Sequence, residues 1–142
     1  MPAWVVSSCR DYSKRLPKSF AFKIHELPQS RDRIAATAVR LEGELLLSKL
    51  GKQELVVALD VTGKSLSTKA FADQLQQWQL QGRDVSLWIG GPDGLSADVL
   101  RRADLQLSLS AMTLPHPLAR IVLVEQIYRA HTILTNHPYH RA

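Results

Sequence analysis

Two short, almost unbroken apolar runs, Glu54 to Leu59 (ELVVAL) and Val85 to Ile89 (VSLWI), constrain the fold more than any other feature of the chain. Neither run alternates with polar residues, so both faces of each strand need cover. That is the condition of a strand inside a parallel sheet. Segments of helical period lie between and around them. Ser67 is placed to cap a helix that carries Phe71, Leu75 and Trp78 on one face and stops at Gly82. Ser96 is placed to cap a short helix with Val99, Leu100 and Ala103 turned inward. Leu105, Leu107 and Leu109 alternate with Gln106 and Ser108, which predicts a third strand. The alternation of strand and helix predicts an α/β fold with helices on both faces of a mostly parallel sheet.

The flanks fit the same scheme. Trp4, Val5, Cys9, Tyr12 and Leu16 recur at helical spacing up to Pro17. Phe20, Phe22 and Ile24 alternate with Ala21, Lys23 and His25, which predicts a strand reaching to Pro28. Ile34, Ala38, Leu41 and Leu45 mark one face of a helix closed by Gly51. Pro117 suits the first turn of a last helix whose core positions include Ile121, Val124, Tyr128 and His131, with Asn136 and Pro138 ending it. No repeat or linker interrupts residues 1–142, which read as a single domain.

Several function classes drop out. No stretch approaches the roughly 20 apolar residues of a membrane-spanning helix, and Met1-Pro2-Ala3-Trp4 does not open a secretory signal. Cys9 is the only cysteine, so the expectation is a reducing cytoplasm, no intrachain disulfide and no multi-cysteine zinc site. No metal is expected. Cys9 itself reads as a packing residue, His25 as structural or surface, and His131 as a core histidine. The net charge of +5 and pI near 9.7 suggest an anionic partner, although many basic proteins bind no nucleic acid. The charge is clustered: Arg10, Lys14, Arg15 and Lys18 near the start, His137, His140 and Arg141 at the end.

In open α/β sheets ligands bind beyond the carboxyl ends of the strands, and three loops of unusual composition follow the three strands. Asp60-Val61-Thr62-Gly63-Lys64 lacks the full phosphate-loop pattern and reads as a turn or a ligand loop. Gly90-Gly91-Pro92-Asp93-Gly94 is equally compatible with a tight turn and with a loop that lets a ligand approach the backbone. Ser110-Ala111-Met112-Thr113-Leu114-Pro115-His116-Pro117 is stiff and apolar; it reads as a buried loop whose backbone polar groups face a planar heteroaromatic, or as a loop packed under another element. The tail Asn136-His137-Pro138-Tyr139-His140-Arg141 combines donors, a stacking ring and positive charge, a useful mixture for RNA, unless it is a frayed end. Glu125 is the acidic residue nearest the third loop in the last helix, and a solvated position serves it equally well.

Taken together, Leu55 to Asp60, Gly82 to Ser96 (GRDVSLWIGGPDGLS), Leu107 to Pro117 (LSLSAMTLPHP) and the tail Asn136 to Arg141 closely resemble the RlmH family in order and spacing, along the whole chain. The resemblance implies a SPOUT fold with a C-terminal trefoil knot, a homodimer, and S-adenosylmethionine as cofactor. It implies methylation of N3 of a pseudouridine in 23S ribosomal RNA on assembled ribosomes. By motif, the cofactor contacts are expected at Leu59, Gly91, Ser110, Ala111, Met112, Thr113, Leu114 and Pro115. Tyr139, His140 and Arg141 are expected to meet the RNA and assist transfer, with His140 as a candidate proton acceptor and Arg141 as the charge that stabilises the developing anion. Members of that family usually begin with a short strand and Gly-x-Lys before Met-Pro-x-Trp-Val. Here Met1-Pro2-Ala3-Trp4-Val5 opens the chain, so that strand is expected to be missing from it, either because the start is placed downstream or because the protein lacks one strand. Rival readings are a non-catalytic ribosome-binding module of the same fold and a methyltransferase acting on transfer RNA.

Overall fold

The structure, a computed structural model, describes residues 1–51 and 53–141. In chain order the elements are α1 (Ala3–Lys14), a 3-10 turn (Lys18–Phe20), α2 (Ala35–Ser48), β1 (Leu55–Ser65), α3 (Thr68–Gln81), β2 (Val85–Ile89), α4 (Ala97–Arg102), β3 (Leu105–Ser108) and α5 (His116–Leu134). They fall into two compact units. One comprises residues 25–65 and 83–116; the other comprises residues 1–24, 66–82 and the chain from Pro117 onward.

The first unit holds the sheet. Its strands are all parallel, in the order β2-β1-β3. The ELVVAL run forms the central strand, as its lack of alternation requires: Val56, Val57 and Ala58 have no exposed surface. Leu55 pairs with Val85 and Leu59 with Ile89 on one side, while Val57 pairs with Leu105 on the other. Val56, Trp88 and Val99 form a core with Leu46, Leu47, Leu50, Leu95 and Ala103 packed around it. Asp104 fastens the start of β3 to β1. Its backbone N–H donates to the Val56 carbonyl, and its carboxylate accepts from the Val56 N–H, each at 2.8 Å. That second bond, helped by Arg102, holds the carboxyl below its ordinary range.

Helix α2 forms where expected but turns a different face inward. Ile34 is its N-cap and is 65% exposed, and Leu41 is also exposed, whereas Ala38 and Gly43 are buried. Small residues on that face let α4 come close. A Cβ on Gly43 would collide with the Ser96 hydroxyl and lie 3.2 Å from a Val99 methyl. The Ser96 hydroxyl is already committed to capping α4 through the Val99 N–H at 3.2 Å. Gly43→Ala is therefore expected to lower the melting temperature. Helix propensity favours alanine by about 1 kcal/mol, and overpacking with loss of the cap costs about 2–3 kcal/mol. Thermal unfolding followed by circular dichroism checks the sign.

In the second unit, Val5, Cys9 and Val124 are buried together, with Tyr12, Phe22 and Ile121 against them. Burial raises the Cys9 thiol, with Arg120 opposing, so the cysteine is a packing residue. Ser67 caps α3 by accepting the Ala70 N–H, and Gly82 closes it in the left-handed region at φ 67°. Phe71, Ala72, Leu75 and Trp78 form the buried face of that helix.

The strand expected over Phe20 to Ile24 is not formed. Phe20 ends the 3-10 turn, whose C-cap Ala21 is left-handed at φ 55°, and this breaks the extended path. The two phenylalanines instead anchor an irregular segment. Phe20 meets the His131 ring edge-on at 5.5 Å and Phe22 packs on the Val5–Cys9–Val124 core, while Ile24 is exposed. His25 consequently lies in no strand and is exposed.

Partial burial, and then the neighbouring His137, lower the pKa of His131 from its ordinary 6.5. The neutral ring is thus favoured in the folded state. Its contribution to stability is present above the unfolded value and is lost as pH falls through the lower folded value. The melting temperature should fall over that window, and His131→Phe should flatten the slope.

Candidate functional site

The carboxyl ends of β1, β2 and β3 lie along one edge of the sheet because all three strands are parallel. The three loops singled out in the sequence leave from that edge. Leu59 pairs with both Ile89 and Leu107, and Leu107 pairs again with Lys64, so Asp60 to Gly63 bulge out of the ladder. The Asp60 carboxylate accepts the Thr62 N–H at 3.2 Å and also the Thr62 hydroxyl. Where the bulge rejoins the strand, a Cβ on Gly63 would lie 2.7 Å from the Gln106 carbonyl carbon. No side chain fits there.

The second loop is tighter. The Gly94 N–H donates to the Gly91 carbonyl at 3.0 Å, closing a turn with Pro92 and Asp93 at its tip. A Cβ on Gly90 would stand 2.5 Å from the Gly94 carbonyl carbon and 2.6 Å from its oxygen. At Gly91 a Cβ would meet side chains only: the Glu42 carboxylate at 3.2 Å and the Gln29 amide at 3.7 Å. Glu42 also accepts the Ser30 N–H at 3.4 Å, and the Gln29 amide nitrogen lies 3.3 Å from His116 Nε2.

Gln29 and Glu42 are functional candidates that the sequence does not single out. Gln29 lies in a segment with no period, and Glu42 looks like any solvated helix residue until α2 is turned by its small-residue face.

The third loop differs from expectation in exposure. Ser110 and Leu114 are half-buried, but Ala111, Thr113 and Pro115 are exposed and Met112 is 77% exposed. The loop is held from within. The Ser108 hydroxyl donates to the Ser110 carbonyl, and the Ser110 hydroxyl accepts the Met112 N–H, both at 2.9 Å. Among the described residues, Ser110 to Pro115 enter no backbone–backbone hydrogen bond outside the regular elements. Leu59, Gly91 and Ser110 to Pro115 are thus brought to one sheet edge.

Tyr139, His140 and Arg141 belong to the other unit, where the tail is docked on α5. Two bonds turn the chain back: His137 N–H to the Thr132 carbonyl at 2.9 Å, and Tyr139 N–H to His137 Nδ1 at 3.2 Å. The Tyr139 hydroxyl donates to Glu125 at 3.0 Å, its ring meets Tyr128 edge-on at 4.7 Å, and the Arg129 guanidinium lies over it at 4.8 Å. Burial, and then the bond to Glu125, push the Tyr139 phenol up to about 12, so it stays protonated and donating. The ring that the sequence offers as a stacking surface already has neighbours within its own unit. His140 Nδ1 lies 3.1 Å from Arg129, and Arg141 is exposed. Glu125 is no solvated residue: its side chain is 16% exposed and takes Arg129, Gln126 and Tyr139 together.

Among the described residues no group of three or more His, Cys, Asp or Glu side chains could hold a metal ion. No helix among them is long and apolar enough to cross a membrane.

The profile of a family described as "Predicted SPOUT methyltransferase" matches residues 1–140. The chain is 49% identical to the "Ribosomal RNA large subunit methyltransferase H" of Saccharophagus degradans, with 99% of this chain and 93% of the relative aligned. It is 47% identical to the protein of the same name from Marinomonas sp., over 99% and 93% of the two chains. The Hahella chejuensis protein of that name is 48% identical, over 99% and 92%.

Proposed function

The chain belongs to the SPOUT methyltransferase family, and from that premise we propose that it methylates N3 of a pseudouridine in large-subunit (23S) ribosomal RNA. S-adenosylmethionine is the proposed donor and the assembled ribosome the proposed substrate. We read the chain as one methyltransferase domain working as a homodimer in the cytoplasm. The observation that carries this reading is the gathering of three loops at one edge of a parallel sheet, two of them pinned by backbone approaches that admit no Cβ.

The donor set suits that cofactor. Bare glycine backbone at Gly91, where only the Glu42 and Gln29 side chains stand beside the missing β-carbon, suits close approach by a flat ring. The third loop is held from within by the Ser108 and Ser110 hydroxyls, and the rest of its backbone is assigned to the edge of an adenine. The Glu42 carboxylate beside Gly91 suits hydroxyls or an ammonium group. When bound, S-adenosylmethionine supplies a methyl whose bond to sulfur breaks with the electron pair left on sulfur, as the pseudouridine nitrogen forms the new bond.

The chain's own task is alignment and charge. N3–H lies between two carbonyls and is weakly acidic, so a positive group near the developing anion lowers the barrier. Arg141, exposed at the end of the docked tail, is assigned that part, with Tyr139, fixed by Glu125 and Arg129, anchoring the tail and His140 holding the base.

The test offers methyl-labelled donor to ribosomes lacking the modification, to free ribosomal RNA and to transfer RNA. Label in large-subunit RNA is expected. Label in transfer RNA alone would overturn the substrate, and donor binding without label anywhere would leave a binding module.

A further inference from the structure

The arrangement of the tail on α5 fixes which nitrogen of His140 can carry a proton. An arginine has five N–H donors and no acceptor. Arg129 NH1 at 3.1 Å from His140 Nδ1 is therefore the donor, and Nδ1 accepts with its lone pair. Arg129 itself is held in place. Its Nε donates to Glu125 Oε1 at 2.9 Å and its NH2 to the same oxygen at 2.8 Å, and its guanidinium covers the Tyr139 ring. Glu125 is held in turn by the Tyr139 hydroxyl at 3.0 Å and by the Gln126 amide at 2.8 Å. The Gln126 carbonyl accepts from Thr68 on α3, also at 2.8 Å. The bond to Glu125 pushes the Arg129 guanidinium further above its ordinary range, so it remains a permanent cation. A neutral imidazole with an accepting Nδ1 carries its hydrogen on Nε2.

We propose that Arg129, braced by Glu125, is a positioning residue that locks His140 as the Nε2–H tautomer, so that His140 serves the methyl-transfer site as a hydrogen-bond donor and not as its base. Nδ1, the lone pair that would take a proton, is occupied by Arg129. Nε2 has none to offer. His140 can thus donate to a carbonyl oxygen flanking the reacting nitrogen, where negative charge builds as N3 gives up its proton. That proton passes to solvent water, and His140 ends the cycle in the protonation state in which it began.

The functional meaning of this assignment rests on the methyltransferase reading, but its first test does not. In uniformly nitrogen-15-labelled full-length protein, two-bond proton–nitrogen correlations of the His140 ring should place the hydrogen on Nε2 and show Nδ1 as a bonded acceptor. Arg129→Met should remove the acceptor signature at Nδ1. A hydrogen on Nδ1 in the unaltered protein, or an Nδ1 signal indifferent to Arg129→Met, overturns the proposal whether or not methyl transfer is seen.

The second test is chemical. Glutamine at position 140 offers an amide N–H near the place of Nε2–H and has no basicity. His140→Gln should keep transfer within about tenfold of the unaltered protein, while His140→Ala loses about 10²–10³, the range for removal of one donor to a developing anion. A glutamine variant as inactive as the alanine variant would make His140 the base. Absence of transfer in the unaltered protein would defeat the methyltransferase reading and leave the tautomer to be decided by the first test.

Discussion

Gly90→Val is expected to weaken S-adenosylmethionine binding by about a hundredfold or more in a chain that still folds. The β-carbon would have to occupy space 2.5 Å from the Gly94 carbonyl carbon, and neither atom belongs to a flexible side chain. The turn must open, and the branched side chain restricts the backbone further. Opening displaces Gly91, whose backbone is assigned to the cofactor, and an overpacking cost of about 1–3 kcal/mol would then be added to every binding event. With the turn misplaced as well, affinity should fall by about a hundredfold or more. Gly91→Val should be milder. There the new side chain meets only the Glu42 carboxylate at 3.2 Å and the Gln29 amide, both of which can swing aside, so a loss of about tenfold is expected. Calorimetric titration of the two variants gives the comparison, with circular dichroism to confirm folding. Unchanged affinity in folded Gly90→Val would remove the cofactor from this sheet edge.

Removing residues 139–142 should have the opposite signature. The tail is held on α5 through Glu125, Tyr128 and Arg129 and is assigned to the RNA, not to the cofactor, so donor affinity should stay within about twofold of the unaltered protein. Transfer to ribosomes should fall by about 10²–10⁴, the range associated with a positioned proton-handling or charge-stabilising group. Within the tail, Arg141→Ala should cost more than Arg141→Lys, because lysine keeps the charge and loses the planar fork. A deletion that weakens donor binding as much as transfer would place the tail in the cofactor pocket. A fully active deletion would make it an inert end.

Much of this was legible in the residues because it rests on local rules. The apolar runs at 54–59 and 85–89 name the two longer paired strands: Leu55 to Ala58 are buried in the central strand, as such a run requires, while at the edge only Trp88 of β2 is buried and its neighbours are half-buried. Ser67, Gly82 and Ser96 act as the caps their chemistry suggests. The failures share a cause of another kind. Phe20, Phe22 and Ile24 alternate as a strand would, yet a left-handed Ala21 and a histidine more than a hundred residues away decide their conformation. The inward face of α2 is set by the need of α4 to approach Gly43, a demand that no periodicity in α2 expresses. Glu125 and Arg129 are an ordinary i, i+4 pair in sequence. They become organisers of the tail only because the chain turns back at Asn136, at φ 59°, and lays Tyr139 and His140 on them.

Methylation at one atom of one nucleoside can be read directly. Ribosomes lacking the modification are incubated with the protein and methyl-labelled S-adenosylmethionine, the large-subunit RNA is digested to nucleosides, and the labelled product is compared by mass spectrometry with synthetic methylpseudouridine standards. The expected result is a single labelled nucleoside that co-elutes with N3-methylpseudouridine. Label on a ribose oxygen, on N1 of the base, or on any nucleoside other than pseudouridine would contradict it.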